Sequence, residues 1–266
     1  GALFIEEADL QPFLDDPAAE AFVREVIGAR EMLHDNSRWC LWMDGAEPRQ
    51  LRASQRVVDR IDRVREFRLA SRAAETREMA ETSWLFAQRA QPDTNYLAIP
   101  RHVSEEREWF TVGHYPAEVI ATDALFTAQD PDRFAFGVLS SKMFLVWLQN
   151  IGGRLESRLR FSKTLVYNTF PMPQVGEEHR AAVVTAADAV VAARQTHPDS
   201  SLADLYDPLV MPTDLRHAHA DLDTAIDTVF RPRKKTFADD QDRLTVLLER
   251  YEEMMEEVRL MDELGY

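Results

Sequence analysis

The chain has 266 residues, 45% hydrophobic and 9% aromatic, which is enough for one large domain or two modest ones with real cores. Low-complexity and membrane-spanning classes are excluded, because Gly and Pro number only 9 and 13 and no apolar run reaches spanning length. The lone Cys40 rules out an intrachain disulfide or a cysteine-based metal cluster and fits a reducing cytoplasm, while a formal charge of −15 argues against nucleic acid as a partner.

The acid is unevenly spread. Residues 1–47 carry 3 basic and 11 acidic groups and residues 176–266 carry 10 and 20, whereas 48–89 hold 10 Arg against 6 acids and 96–175 balance at 8 and 8. A neutral-to-basic middle leaves room for a surface facing a polyanion, with modest affinity, since phosphate neutralisation supplies much of such binding. No signal-peptide pattern leads the chain, and a start on Gly1 rather than Met points to a piece of a longer polypeptide.

In chain order, Asp16-Pro17 opens a helical pattern with Phe22, Val23, Val26 and Ile27 on one side, ending near Gly28. Residues 37–43 (SRWCLWM) are dense in Trp and Leu and read as a buried strand. Cys40 there has no paired base in any pattern, so it reads as packing rather than a nucleophile. Residues 55–80 form an amphipathic helix pattern, with Val57, Val58, Ile61, Val64 and Leu69 as its stripe. Arg56, Arg60, Arg63, Arg68 and Arg72 recur on its other faces. They make either a solvated surface or contacts to phosphates, which position a protein without reading sequence.

From 83 to 128 the grain changes to short aromatic and β-branched runs, predicting strands at 84–86, 96–99, 109–112 and 119–122. Arg101 follows one of them directly, at a strand end or in a loop. Residues 132–151 are apolar nearly all round and predict a central core helix, Trp147 included. Gly152-Gly153 ends it.

The run that follows, GGRLESRLRFSKTLVYNTFPMP at 152–173, carries the functional argument. In an extended segment Glu156, Arg158 and Arg160 line one face. An Arg offers a two-pronged donor to guanine O6 and N7, and a Glu accepts from cytosine N4, so the pair suits one C·G base pair in the major groove. A surface salt bridge is the plainer reading of the same spacing.

This run resembles the end of the target recognition domain in MmeI-like enzymes (type IIL restriction-modification proteins). Their pattern is GRL, a variable charged pair spaced by Ser, then aromatic-Ser-x-x-[VI]-Tyr-Asn-[NT]-Phe-Pro-x-Pro, with Met172 here where Trp is common. The resemblance extends to Arg-Trp-Cys-Leu-Trp at 38–42, to Ile-Pro-Arg then Ser-x-x-Arg-x-Trp at 99–109, and to LADLYDPLVMPTDLRHAHADLD at 202–223. It implies that Glu156 and Arg158 read bases, with Leu159 and Arg160 beside them. By a gapless count, Arg101, Asp123 and Ala124 fall where the family varies its other base-reading residues. Arg56, Arg60, Arg63 and Lys163 are candidate phosphate contacts.

After residue 174 the chain becomes helical and acidic, with helices expected at 181–194, 215–226 and 244–260. His217 and His219 diverge on a helix and do not suit one cation; His219 falls on the apolar face as a core histidine. Neither a Gly-rich GxG loop, an Asn-Pro-Pro-[FY] segment nor a Glu-x-Lys occurs, so this piece is expected to lack a catalytic site and a cofactor of its own. The expected fold class is α+β, with a sheet-containing target recognition domain at 1–174 and an all-α domain at 175–266. The implied parent is an adenine-N6 methyltransferase with endonuclease activity, using S-adenosylmethionine, and Mg for cleavage. Its partners would be double-stranded DNA and the catalytic domain of the same polypeptide. An acidic protein-interaction module docking a catalytic partner is the alternative.

Overall fold

The computed structural model describes residues 1–231 and 237–264; residues 232–236, 265 and 266 of the expected helical C-terminal domain lie outside the described residues. Its strands in chain order are β1 (Phe4–Ile5), β2 (Val23–Ile27), β3 (Trp39–Leu41), β4 (Tyr96–Pro100), β5 (His102–Ser104), β6 (Gly113–Tyr115), β7 (Ile120–Ala121), β8 (Leu125–Gln129), β9 (Gly153–Leu155) and β10 (Arg158–Arg160). The architecture is mixed helix and sheet, with a helical C-terminal region, as expected. Two compact units form: Gly1–Asp93 with Pro116–Ala124, and Thr94–Tyr115 with Leu125–Tyr266.

The first unit holds a four-stranded sheet in the order β1-β3-β2-β7. The β1–β3 and β2–β3 pairs are antiparallel and β2–β7 is parallel. The helix expected from residue 17 is only Pro17–Glu20, and Val23–Ile27 is a strand instead. Three β-branched residues in five favour the pleat, and pairing on both edges rewards it.

The helix Gln55–Leu69 starts on Ser54, whose hydroxyl accepts from the Val57 amide and donates to the Asp16 carboxylate at 2.6 Å. It stops at Leu69, short of the expected residue 80, and Ala74–Glu78 and a 3₁₀ turn Met79–Thr82 follow. Arg68 explains the fold-back. It is 8% exposed and donates to the carbonyl oxygens of Met79, Thr82 and Leu85 at 2.7, 3.0 and 2.7 Å. Residues 84–86, expected as a strand, therefore form a loop tied to that guanidinium, with Trp84 and Phe86 packed on the core of Ile5, Phe13, Leu41 and Val57. Cys40 is buried here, and burial pushes its thiol up to about 12, out of reach of nucleophilic chemistry.

The second unit has two antiparallel three-stranded sheets, β6-β4-β8 and β5-β10-β9. The single helix expected over 132–151 breaks into Phe134–Leu139 and Lys142–Ile151. Ser141 makes the break: its hydroxyl donates to the Val138 carbonyl at 2.7 Å and accepts from the Phe144 amide at 3.2 Å, capping the second helix. Met143 to Leu148 are all buried, and the indole of Trp147 donates to the Val166 carbonyl at 3.1 Å, so Trp147 is core and not a stacking platform.

Residues 109–112, expected as a strand, are irregular but buried. Trp109 donates its indole N–H to Asp223 at 2.9 Å. Helices Glu177–Gln195, Thr213–Phe230 and Asp240–Leu264 share this core with Phe136, Phe144 and Trp147. Gly137 lets the helix Phe134–Leu139 lie close against Glu177–Gln195, because a Cβ there would meet Val183 at 2.9 Å.

A polar chain runs through the helical packing. Arg194 donates two N–H groups to the Tyr206 oxygen, at 2.9 and 2.6 Å, which leaves the phenol proton to point at His219 Nε2, 2.6 Å away. His219 is fully buried, and burial first, then the Arg194 charge, hold it neutral, well below its usual range. It is a satisfied core histidine at that nitrogen. Among the described residues no group of three or more His, Cys, Asp or Glu is placed to hold a metal ion.

Candidate nucleic-acid interface

The run 152–173 does not form one strand. Gly153–Leu155 and Arg158–Arg160 are the arms of a hairpin, in register Leu155 to Arg158 and Gly153 to Arg160. Two residues, Glu156 and Ser157, make the turn. Two-residue hairpin turns need a positive φ, and Glu156 supplies it at 56° where Gly or Asn is usual. Glu156 thus sits at the tip rather than on the strand face expected for it. The salt bridge still forms: Arg158 donates to its carboxylate at 3.0 Å, with the side chains 49% and 78% exposed.

The period of two decides the rest of the hairpin. Arg158 and Arg160 are exposed, whereas Leu159 between them is fully buried in the core with Val103 opposite. Leu159 therefore cannot touch a base edge, and its expected reading role is corrected to that of an anchor. It holds the hairpin down so that the two guanidinium groups stand up. Phe161 continues the anchoring, stacked on Phe110 with centroids 5.8 Å apart, and its amide donates to the Arg101 carbonyl at 3.0 Å.

β5 completes the sheet, and its residues were not singled out in the sequence. Arg158 lies opposite Ser104 and Arg160 opposite His102, so these four share the outward face. Arg101, exposed in the bend between β4 and β5, lays its guanidinium 4.5 Å from the centre of the Phe126 ring. Arg154 pairs with Glu105. Burial lowers the His102 pKa, and the charges of Arg158, Arg160 and Arg101 lower it further, which favours the neutral imidazole. Three guanidinium groups thus lie close enough to act on one imidazole, in a chain whose net charge is −15.

The structure thus places Arg158 and Arg160 on one face of the small sheet with Glu156 at its hairpin tip, while Arg101 lies just before β5 against Phe126. Lys163 is exposed in the π-helical turn Lys163–Tyr167 that follows β10. Asp123, exposed, and Ala124, half-buried, form the turn after β7 and belong to the first unit. Arg56 and Arg63 are exposed on the helix Gln55–Leu69. Arg60 is not offered to a phosphate: it donates to the carbonyl oxygens of Ala2 and Phe4 at 3.2 and 3.3 Å and lies 3.5 Å from Asp9.

Fold and face together define a class: a mixed helix-and-sheet module with a helical end, displaying a small sheet whose guanidinium groups pair with the carboxylates of Glu105 and Glu156. Comparison with known proteins is more specific. A family model described as MmeI, target recognition domain, matches residues 1–174, and one described as MmeI, C-terminal domain, matches residues 175–259. The chain belongs to the MmeI family, as a target recognition domain followed by its C-terminal domain.

A solved structure of the type IIL restriction-modification enzyme MmeI in complex with DNA is 40% identical, with a TM-score of 0.89 over 96% of this chain and 34% of that one. DNA methyltransferase A of Bacillus subtilis (strain 168) is 30% identical over 241 residues, 90% of this chain and 27% of that protein. The chain thus spans about a third or less of the length of either relative.

Proposed function

We propose that in this DNA target recognition region Glu156 and Arg158 together select one base pair of an asymmetric site, with Arg160 and Arg101 reading its neighbours. One observation carries the reading: a buried Leu159 fixes a hairpin whose tip holds a carboxylate and a guanidinium 3.0 Å apart and open to solvent. The carboxylate accepts from cytosine N4 and the guanidinium donates to guanine O6 and N7, a good bidentate contact contributing roughly 1–3 kcal/mol of discrimination. Asp123 and Ala124 join the readers on the strength of the family's variable positions, and Arg56, Arg63 and Lys163 contact phosphates.

The parent is a cytoplasmic enzyme that moves a methyl group from S-adenosylmethionine to adenine N6 and cleaves unmodified DNA, with Mg for cleavage. The residues present here do not fit either group: no Gly-rich cofactor loop, Asn-Pro-Pro-[FY] segment or Glu-x-Lys occurs in the chain, and among the described residues no group of three or more His, Cys, Asp or Glu is placed for a metal ion. Both belong to a catalytic domain elsewhere in the same polypeptide, and this region chooses where it acts.

The test exchanges the pair, Glu156→Lys with Arg158→Asp, in the full-length enzyme, and maps methylated adenines by sequencing. The recognition sequence changes at one base pair. An unchanged recognition sequence rules out these residues as readers.

A further inference from the structure

The sheet has a third strand, and its outward residues stand in the same rows as the two arginines. One row runs Leu155, Arg158, Ser104; the next runs Gly153, Arg160, His102. Ser104 is committed locally, its hydroxyl accepting from the Glu106 amide at 3.3 Å. His102 sits opposite Arg160 on the outward face and is half-buried. On the other flank of Arg160, Gly153 has no side chain, and a Cβ built there would meet nothing within 4 Å. The row is therefore open on one side and bounded on the other by an imidazole.

We infer that His102 is a further specificity-determining residue, donating from its imidazole N–H to a purine acceptor on the base pair next to the one that Arg160 contacts. Neighbouring strands lie about 4.8 Å apart, and base pairs are stacked about 3.4 Å apart along each DNA strand. A strand spacing nearer one base-pair rise than two suits Arg160 on β10 and His102 on β5 to adjacent steps rather than one. A neutral imidazole that donates its one N–H favours an acceptor edge, purine N7 foremost and then guanine O6 or thymine O4, over the cytosine N4 donor. The inference rests on the reading of this sheet face as the base-reading face.

The experiment uses the full-length enzyme and sequencing of methylated adenines across random DNA, with four variants: His102→Ala, His102→Gln, Arg160→Ala, and the exchanged Glu156/Arg158 pair. His102→Ala is expected to relax one position, adjacent to that relaxed by Arg160→Ala, by roughly five- to tenfold. His102→Gln, which keeps a donor, is expected to retain a preference there, of altered strength. Two results overturn the inference while the Glu156/Arg158 reading stands. In one, the exchanged pair changes the site but both His102 variants keep every position as before. In the other, His102→Ala slows methylation equally on all sequences, which marks a phosphate contact or a structural part. If the exchanged pair changes nothing, the base-reading face itself has been misassigned.

Discussion

Glu156 separates backbone cost from reading role, and two truncations measure both. Its φ of 56° lies in the left-handed region, which costs a residue with a Cβ on the order of 1 kcal/mol and glycine almost nothing. Glu156→Ala and Glu156→Gly both remove the carboxylate and its bond to Arg158, a pair so exposed that it is worth about 0–1 kcal/mol. Only glycine also relieves the backbone. In most helix or strand positions Gly is the less stable of the two by roughly 0.5–1 kcal/mol; here the order should reverse by a similar amount. For a domain of this size that is about 2–4 °C in thermal melting. Both variants, placed in the full-length enzyme, should lose discrimination at the same base pair by roughly 5- to 150-fold. An alanine variant as stable as the glycine variant refutes the strained turn. A truncation that keeps the preference at that base pair refutes the carboxylate as a reader.

Other expectations follow from single residues. Leu159→Ala should destabilise the chain by about 2–5 kcal/mol, as for a buried leucine, whereas Arg160→Ala on the opposite face should stay within roughly 0.5 kcal/mol; equal losses in denaturant titrations would put Leu159 outside the core. Arg68→Met should cost about 3 kcal/mol, because it strands three carbonyl oxygens while keeping most of the apolar stem, and a neutral result would show the 79–85 loop to be held by something else. Asp223 is pushed up from 3.8 to about 6, chiefly by burial, although the Lys142 amide and the Trp109 indole donate to it. A raised carboxyl favours the folded state when protonated, so its contribution is fully present below pH 3.8 and is lost as pH rises through about 6. The stability difference between wild type and Asp223→Asn, followed by chemical denaturation from pH 3.5 to 7, should change by up to about 3 kcal/mol in that window; a flat difference would show Asp223 to be unshifted.

What could be read beforehand divides along the range of the forces involved. The core helix residues, His219 and the exposure of Arg158 and Arg160 follow from periodicity, which reports which side of an element faces inward. The same periodicity already places Leu159 opposite its neighbours; only adjacency in the chain argued for it as a reader, and adjacency along a strand means opposite faces. The turn at Glu156 escaped because its chemical signal, Gly or Asn at positive φ, is absent: the carboxylate stands where a turn residue would be, and three charged residues in alternation look like one continuous strand. A left-handed Glu is locally unfavourable, and such violations collect where a side chain is needed in one place for another purpose.

β2 and the 84–86 loop failed for a different reason. Val23, Val26 and Ile27 fit a helical stripe as well as a pleat, and the choice is made by β3 and β7 pairing on either side, contacts distant in sequence. Arg68, one of several similar arginines on one helix, is distinguished only by three carbonyl oxygens up to 17 residues further along. The interface shows the same division. Its charged pair is local and legible, while His102 enters it through the antiparallel register of β5 against β10, which residue spacing alone does not specify. If His102 proves to read a base, specificity in this fold belongs to a sheet face assembled from two separate stretches of chain, and a substitution scheme confined to the 156–160 run would leave one base position unexplained.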